Sequence, residues 1–299
     1  MALVEYFKVA RVGSWLGWIF SFSFGSICLS LPPLERFLAI LSAFSLATAS
    51  IFVLNQYFDR KEDRENLFKS SMPIASEQIA PRMALIFSLL LIGICLVLVV
   101  LVDINLLSLF IIYLMFGTAY SAPPLRLKSI PVVDFTVSGI GAGFMPFLMG
   151  LELTSNLGPD VLSIMLGAVP LVLIHCGGHI VQAVGDYEVD RRMRVQTFVV
   201  RYGRKKGVIA AGLMFLLACT SPFIYSVLGV LSYSHLTLFF ILFPVSMPIL
   251  KCYVTLLKEP SPENVLNMQK TATKYGIIGI IGMLAYTLLL RLTIVCPSV

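Results

Sequence analysis

The sequence predicts an all-α protein that crosses a membrane many times, and three observations carry that expectation. Of its 299 residues, 58% are hydrophobic and only 13% charged, whereas a soluble domain carries roughly 25% charged residues; the mean hydropathy is +0.91. The apolar residues gather into nine stretches, most of them near the ~20 residues that a helix needs to cross hydrocarbon. The basic residues sit almost wholly in alternate connections between those stretches.

The nine expected spans run 12–31, 36–57, 83–102, 105–120, 131–151, 161–185, 207–229, 235–257 and 273–295. The first reads as a helix, not a cleaved leader, because it is long and has no small-residue cleavage pattern. The second and sixth run into acidic strings. The third and fourth are separated only by a tight Asp103/Asn105 turn, so they form a hairpin. Pro131 opens the fifth, with Asp134 in its first turn. Its Gly139-Ile-Gly141-Ala-Gly143 run looks like part of a dinucleotide loop, but it lies within a membrane helix and follows no strand, so close helix packing explains it. The sixth carries His175 and His179 at i, i+4, a ligand-like spacing without a third ligand, and a packing role is expected for both. Six cysteines (Cys28, Cys95, Cys176, Cys219, Cys252 and Cys296) are scattered through apolar segments. They read as small buried hydrophobes, not a disulfide framework or a zinc site.

Orientation follows from charge. With the N-terminus in the cytoplasm, 19 of the 22 Lys and Arg fall on that side, leaving Arg36, Lys251 and Arg291 elsewhere. The C-terminus then lies on the opposite side. The net charge of +6 belongs to these loops and suits anionic headgroups or an anionic substrate, not nucleic acid.

Two strings on that face point to chemistry: Asn55-Gln-Tyr-Phe-Asp59-Arg-Lys-Glu-Asp63 and Gln182-Ala-Val-Gly-Asp186-Tyr-Glu-Val-Asp190. Each sets an amide and two carboxylates at i, i+4 and i+8, which places them on one helix face about 6 Å of rise apart. An ionisable side chain near hydrocarbon costs about 2.5–3.5 kcal/mol or more, so a doubled set implies a use. Oxygen-only ligands of this kind suit Mg2+, with phosphate oxygens completing its shell. A third string, Tyr120-Ser-Ala-Pro-Pro124-Leu-Arg126-Leu-Lys128, follows the fourth span. Its prolines stiffen a turn, and Arg126 and Lys128 offer cationic donors to phosphate. The repetition also predicts a four-helix unit used twice, in halves of about 1–128 and 129–258, plus a ninth helix over 273–295, all within a single membrane domain.

In these residues the chain resembles the UbiA superfamily of intramembrane prenyltransferases. That family has N-x-x-x-D-x-x-x-D after its second helix, D-x-x-x-D after its sixth, and in many members a Tyr-Ser-Pro-Pro-Arg/Lys-rich stretch after its fourth. All three occur here in order. The resemblance implies helices around a central cavity, with Asn55, Asp59, Asp63, Asp186 and Asp190 holding Mg2+ on the diphosphate of an isoprenyl donor. It implies Tyr120, Arg126, Lys128, Lys69 and Gln182 as substrate-binding residues. Tyr57, Phe58, Tyr120 and Tyr187 are candidates for stabilising an allylic cation, set against an ordinary anchoring role at the membrane interface. The implied acceptor is lipophilic: a quinone precursor, an aromatic acid, a tetrapyrrole or a glycerophosphate lipid. There are two departures. Where many relatives have Arg-Pro and then Ser-Gly, this chain reads Met72-Pro73 and Ser76-Glu77, so Lys69 is the nearby cation; and Gln56 stands where many relatives have Asp.

Two other functions compete with this reading. In a cation transporter the acids would sit near the midplane, yet here they crowd one face. A CDP-alcohol phosphotransferase would need an Asp-Gly-rich motif, and the chain has no Asp-Gly pair.

Overall fold

The computed structural model describes residues 2–28, 31–154, 161–229 and 234–295, and within these the chain is helical with no strand. Six helical stretches are long and apolar enough to cross a membrane: Leu34–Glu65, Pro81–Val102, Ile104–Ser121, Val133–Leu151, Leu166–Arg192 and Arg204–Val227. They match the second to the seventh expected spans. The eighth and ninth expected spans fall on helices outside that set.

The first expected span, 12–31, is one continuous helix that starts four residues late because a separate helix and a break precede it. Helix α1 (Ala2–Ala10) ends where Arg11 takes a left-handed conformation (φ 52°), a short 3-10 turn covers Val12–Ser14, and α2 (Leu16–Cys28) starts afresh. Gly13 and Ser14 are weak helix formers, and the Trp15 indole N–H closes the break by donating to the Ala10 carbonyl at 2.8 Å.

Helix α3 (Leu34–Glu65) has 32 residues, roughly 48 Å at 1.5 Å per residue, well beyond the ~30 Å of hydrocarbon. Its acidic string therefore stays helical past the expected end at 57, which preserves the i, i+4, i+8 register. Helix α4 (Pro81–Val102) packs against it. The expected hairpin is present: the Asp103 carboxylate accepts from Asn105 N–H at 3.1 Å, and α5 (Leu107–Ser121) follows a single 3-10 turn. Arg36 pairs with Asp103, tying the start of α3 to the end of α4.

The fifth span is α6 (Val133–Gly139), a π turn (Ile140–Phe144) and α7 (Met145–Leu151). Its glycines allow a close approach. A Cβ on Gly139 would lie 2.3 Å from Cys176 Sγ, and one on Gly143 would lie 2.7 Å from Val172 N, both on the next long helix. That helix, α8 (Val161–Arg192), again has 32 residues and carries the second acidic string beyond the expected end at 185. Short α9 (Phe198–Tyr202) leads into α10 (Arg204–Val227), which packs on α8. Asp134 does more than open α6: its carboxylate accepts from Phe198 N–H at 2.8 Å, anchoring α9.

Helix α11 (Ser234–Lys258) pairs with α12 (Pro262–Val295). The latter begins 11 residues before the expected ninth span, because Val265 and Met268 in its polar first turns are buried against α8, α10 and α11. Helix α12 also touches α2 and α8.

Each acidic helix has its own core. Around α3, Phe22 and Phe44 stack at 5.1 Å, and Thr48 hydrogen-bonds Tyr113 at 2.9 Å. Around α8, Ile180, Val184, Val208 and Leu256 pack together. Leu89, Leu90, Ile94, Val97 and Leu101 of α4 are exposed, as suits a face turned to lipid. Cys95 and Cys176 are buried as expected, whereas Cys219 is exposed.

Candidate active site

A cavity of about 630 Å³ opens between α3 and α5 on one side and α8 and α12 on the other, with α2 and the π turn completing its wall. Of the expected site residues, Asn55, Asp59, Asp63, Lys69, Tyr120, Lys128, Gln182, Asp186 and Asp190 line it. Arg126 stands just outside that wall. Both acidic strings therefore face a common space, as their helical register requires.

The polar groups lie at the mouth, and each acidic string is paired with a lysine from a loop. Asn55 Nδ2 donates to Asp59 Oδ2 and to Ser121 Oγ, each at 2.9 Å. Asp59 is in an ion pair with Lys128, and Arg126 Nη2 lies 3.5 Å from the same carboxylate. Arg126 pairs more closely with Glu62. Its backbone is left-handed (φ 38°), which starts the 3-10 turn that presents Lys128. Asp186 is held from the other half of the sequence: Lys69 Nζ is 2.6 Å from Oδ2, and Asn66 Nδ2 donates to Oδ1 at 2.8 Å. Lys69 lies in a run of turns, not a helix, and still reaches the site. Burial works against its ammonium, but Asp186 and Asp63 outweigh that, and its pKa ends above the ordinary lysine value.

Three partners at the mouth were not anticipated. Arg11, read only as a flanking charge, lines the cavity and sits over the Phe52 ring at 5.6 Å. Burial lowers its pKa, while Asp63 and Asp186 pull the other way. Glu62 and Asn66 are the others. The signal available in the sequence was the Arg11-Val-Gly-Ser14 break, which turns that arginine inward. The departures also acquire structure. Gln56 Nε2 donates to the Val9 carbonyl, fastening α1 to α3. Glu77 adopts φ 63°, a conformation that suits the glycine many relatives carry there, and pairs with Arg64 at 2.8 Å.

The aromatic candidates divide. Tyr120 lines the cavity, whereas Tyr57 lies under Arg60 at 5.1 Å, Phe58 packs on Tyr57, and Tyr187 lies under Arg204 at 4.7 Å. The aromatic wall of the cavity is instead Trp18, Phe52, Tyr113 and Phe116. His175 and His179 also face the cavity. His175 Nε2 is 3.4 Å from Ser21 Oγ, and His179 Nε2 is 3.1 Å from Tyr120 Oη. Gly141, Gly178 and Gly276 line the wall, and a Cβ at any of them would meet nothing within 4 Å.

No three His, Cys, Asp or Glu among the described residues are grouped closely enough to hold a metal ion. The ion pairs explain this, since Lys69 and Lys128 separate the carboxylates. The donor set nevertheless fits Mg2+: its ligands are oxygens, and neither Asp63 nor Asp190 is in an ion pair among the described residues. Both carboxylates feel the charges of Lys69, Lys128 and Asp59. Five carboxylates (Asp59, Glu62, Asp63, Asp186, Asp190) meet four cations (Arg11, Lys69, Arg126, Lys128) around this mouth. That leaves an excess of negative charge for a metal cation to balance.

The chain is similar to known proteins along most of its length. A model of the UbiA prenyltransferase family matches residues 18–273. The digeranylgeranylglyceryl phosphate synthase of Natronomonas pharaonis is 26% identical over 238 residues, covering 78% of this chain and 80% of the relative. A UbiA homologue from Archaeoglobus fulgidus, solved with DMAPP and Mg2+, superposes with a TM-score of 0.73 at 19% identity over 96% of this chain and 99% of its own. A solved structure described as that of digeranylgeranylglyceryl phosphate synthase in membranes gives 0.65 at 23% identity over 96% and 98%. The chain belongs to the UbiA prenyltransferase family. It is an integral, multi-pass membrane prenyltransferase, and the transporter and CDP-alcohol phosphotransferase readings fall away.

Proposed function

We propose that this enzyme transfers an isoprenyl group from an allylic isoprenyl diphosphate to a hydroxyl group of a glycerophosphate lipid within the membrane, with Mg2+ as cofactor. The observation that carries the reading is the pairing of Lys128 with Asp59 and of Lys69 with Asp186 at the mouth of one cavity. With Lys69 and Lys128 turned to phosphate oxygens, Asp59 and Asp186 would join Asn55, Asp63 and Asp190 in holding Mg2+, whose charge would offset that of the departing diphosphate. Lys69, Lys128 and Arg11 add donors aimed at the same developing charge. Arg126 acts one step back, orienting Lys128 through its contacts with Glu62 and Asp59.

The isoprenyl chain runs into the depth of the cavity, whose volume is in the usual range for a small-molecule site. Trp18, Phe52, Tyr113 and Phe116 present ring faces to an allylic cation, and the apolar wall keeps water from it. The choice of a glycerophosphate acceptor over a quinone precursor, aromatic acid or tetrapyrrole rests on the synthase relative, whose name describes such a lipid.

The purified protein is to be incubated with C10 to C20 allylic diphosphates, Mg2+ and a panel of glycerophosphate alcohols, phenolic acids and quinone precursors, with products read by mass spectrometry. A prenyl ether of the glycerophosphate that disappears with EDTA and returns with Mg2+ is expected. Product from a phenolic acid alone would move the acceptor, and no product from any acceptor would overturn the reading.

The mouth and N-terminus are placed in the cytoplasm, with the C-terminus opposite, on the strength of the one-sided Lys and Arg distribution. Ser70→Cys in a protein lacking its native cysteines should react with an impermeant reagent only from the cytoplasmic side. The halves 1–128 and 129–258, with a ninth helix over 273–295, are proposed as an internal duplication. The equal lengths of α3 and α8, and the packing of each against the next long helix, support it.

A further inference from the structure

Helix α8 carries a polar stripe deeper than its acidic string. Asp190, Asp186, Gln182, His179 and His175 all line the cavity at three- or four-residue spacing. On α3 the corresponding wall turns apolar above Asn55, with Phe52 and Ile51. His179 is about 10 Å of helical rise below Asp186, deeper than any group assigned to the diphosphate. Its Nε2 is 3.1 Å from Tyr120 Oη, and the two rings meet edge-on at 5.9 Å. Tyr120 neighbours Ser121, which binds Asn55, so the phenol sits at the boundary between charged mouth and apolar depth. That boundary is where the allylic carbon of a donor held at the mouth must lie. His175 differs: it is walled by α2, where a Cβ on Gly17 would be 2.7 Å from its Cε1, and it meets Ser21.

We propose that Tyr120 and His179 form the relay that takes the proton from the acceptor hydroxyl, a role that rests on the alcohol acceptor proposed above. In the reaction, the acceptor oxygen bonds to C1 of the isoprenyl group. The bond from C1 to the diphosphate oxygen breaks, and its electron pair leaves with the diphosphate. The acceptor O–H proton passes to Tyr120 Oη while the tyrosine's own proton passes to His179 Nε2. The phenol is restored, and the imidazolium returns its proton to water as product departs. Without such a group the product oxygen would keep its proton as an oxonium, which readily loses the isoprenyl cation again. Positioned acid–base groups of this kind contribute about 10²–10⁴ in rate.

The test uses full-length protein carrying His179→Gln, Tyr120→Phe or both, and His179→Ala. Three quantities are read: transfer to the hydroxyl acceptor at saturating donor, affinity for an unreactive thiodiphosphate analogue of the donor, and diphosphate release without acceptor. Transfer should fall about 100-fold in each single variant. The double variant should fall no further, because one relay is lost only once. In His179→Gln, donor affinity and acceptor-independent release should stay at wild-type level, and free imidazole should restore part of the transfer in His179→Ala. Wild-type-like transfer in Tyr120→Phe and His179→Gln would overturn the relay. A parallel loss of donor affinity and transfer would overturn it too, reducing the pair to packing. If the wild-type enzyme alkylates a phenol and no lipid alcohol, the acceptor reading fails, and the same variants judge the relay on the phenol.

Discussion

The two acidic helices share a length and a register but not a role. On α3 the string is closed in: Asp59 and Asp63 are 6% and 8% exposed, and Asn55 is fixed by two hydrogen bonds. On α8 the string is more open, Gln182 makes no such bonds among the described residues, and the polar stripe continues inward to the histidines. Each helix borrows its cation from a distant loop, Lys128 for the first and Lys69 for the second. On the reading proposed above, the first string serves only to hold the metal and donor, while the second does so with the Tyr120–His179 pair beneath it.

The strongest test of this comparison is removal of the paired carboxylates. Asp59→Ala and Asp186→Ala should each lower transfer by 10³-fold or more, about 4 kcal/mol in the barrier, as measured by product formation at saturating Mg2+ and donor. Near-normal turnover in either variant would show that a single helix suffices. Next come the cations. Lys128→Ala and Lys69→Ala should each raise the apparent KM for the allylic diphosphate by about 10–100-fold, with acceptor KM little changed. A loss confined to one of them would show that only one string shares its lysine with the donor.

The amides sharpen the contrast. Asn55→Ala, which frees both Asp59 and Ser121, should cost roughly 100-fold in kcat, whereas Gln182→Ala should cost less than about tenfold. Equal losses would mean that the two strings are equivalent after all. The smallest effect belongs to Arg126→Ala, outside the cavity wall. A few-fold rise in donor KM is expected from a displaced Lys128, about 1 kcal/mol, and an effect as large as that of Lys128→Ala would bring Arg126 into direct contact with phosphate.

The sequence made part of this legible. Hydropathy located the second to seventh spans, and a four-residue spacing in two strings was enough to put Asp59, Asp63, Asp186 and Asp190 along one cavity, because a helix maps spacing onto a face. Hydropathy missed where helices outlast the bilayer: α3, α8 and α12 all extend through polar sequence, held by contacts such as Val265 and Met268 against α8. Neither could spacing predict which loop neutralises which string, since Lys69 and Asp186 are brought together only by the tertiary arrangement. Arg11 was missed because a flanking arginine and an inward one look alike until the chain breaks at Gly13-Ser14. His175 and His179 were dismissed for want of a third metal ligand. A missing third ligand counts against metal binding but leaves a hydrogen-bond partner such as Tyr120 open.

Gly141, Gly178 and Gly276 differ from the glycines that let helices touch. A side chain at Gly139 or Gly143 collides with α8, so those positions are locked by packing, whereas one at any of the first three grows into empty cavity. The size of the hollow is thus set by side chains that are missing from its wall, on three separate helices. A single base change in the gene can shorten the room available to a prenyl tail without disturbing a helix contact. The scaffold and the ruler are written at different positions, so descendants of this sequence can drift in preferred tail length while the charged mouth stays as it is.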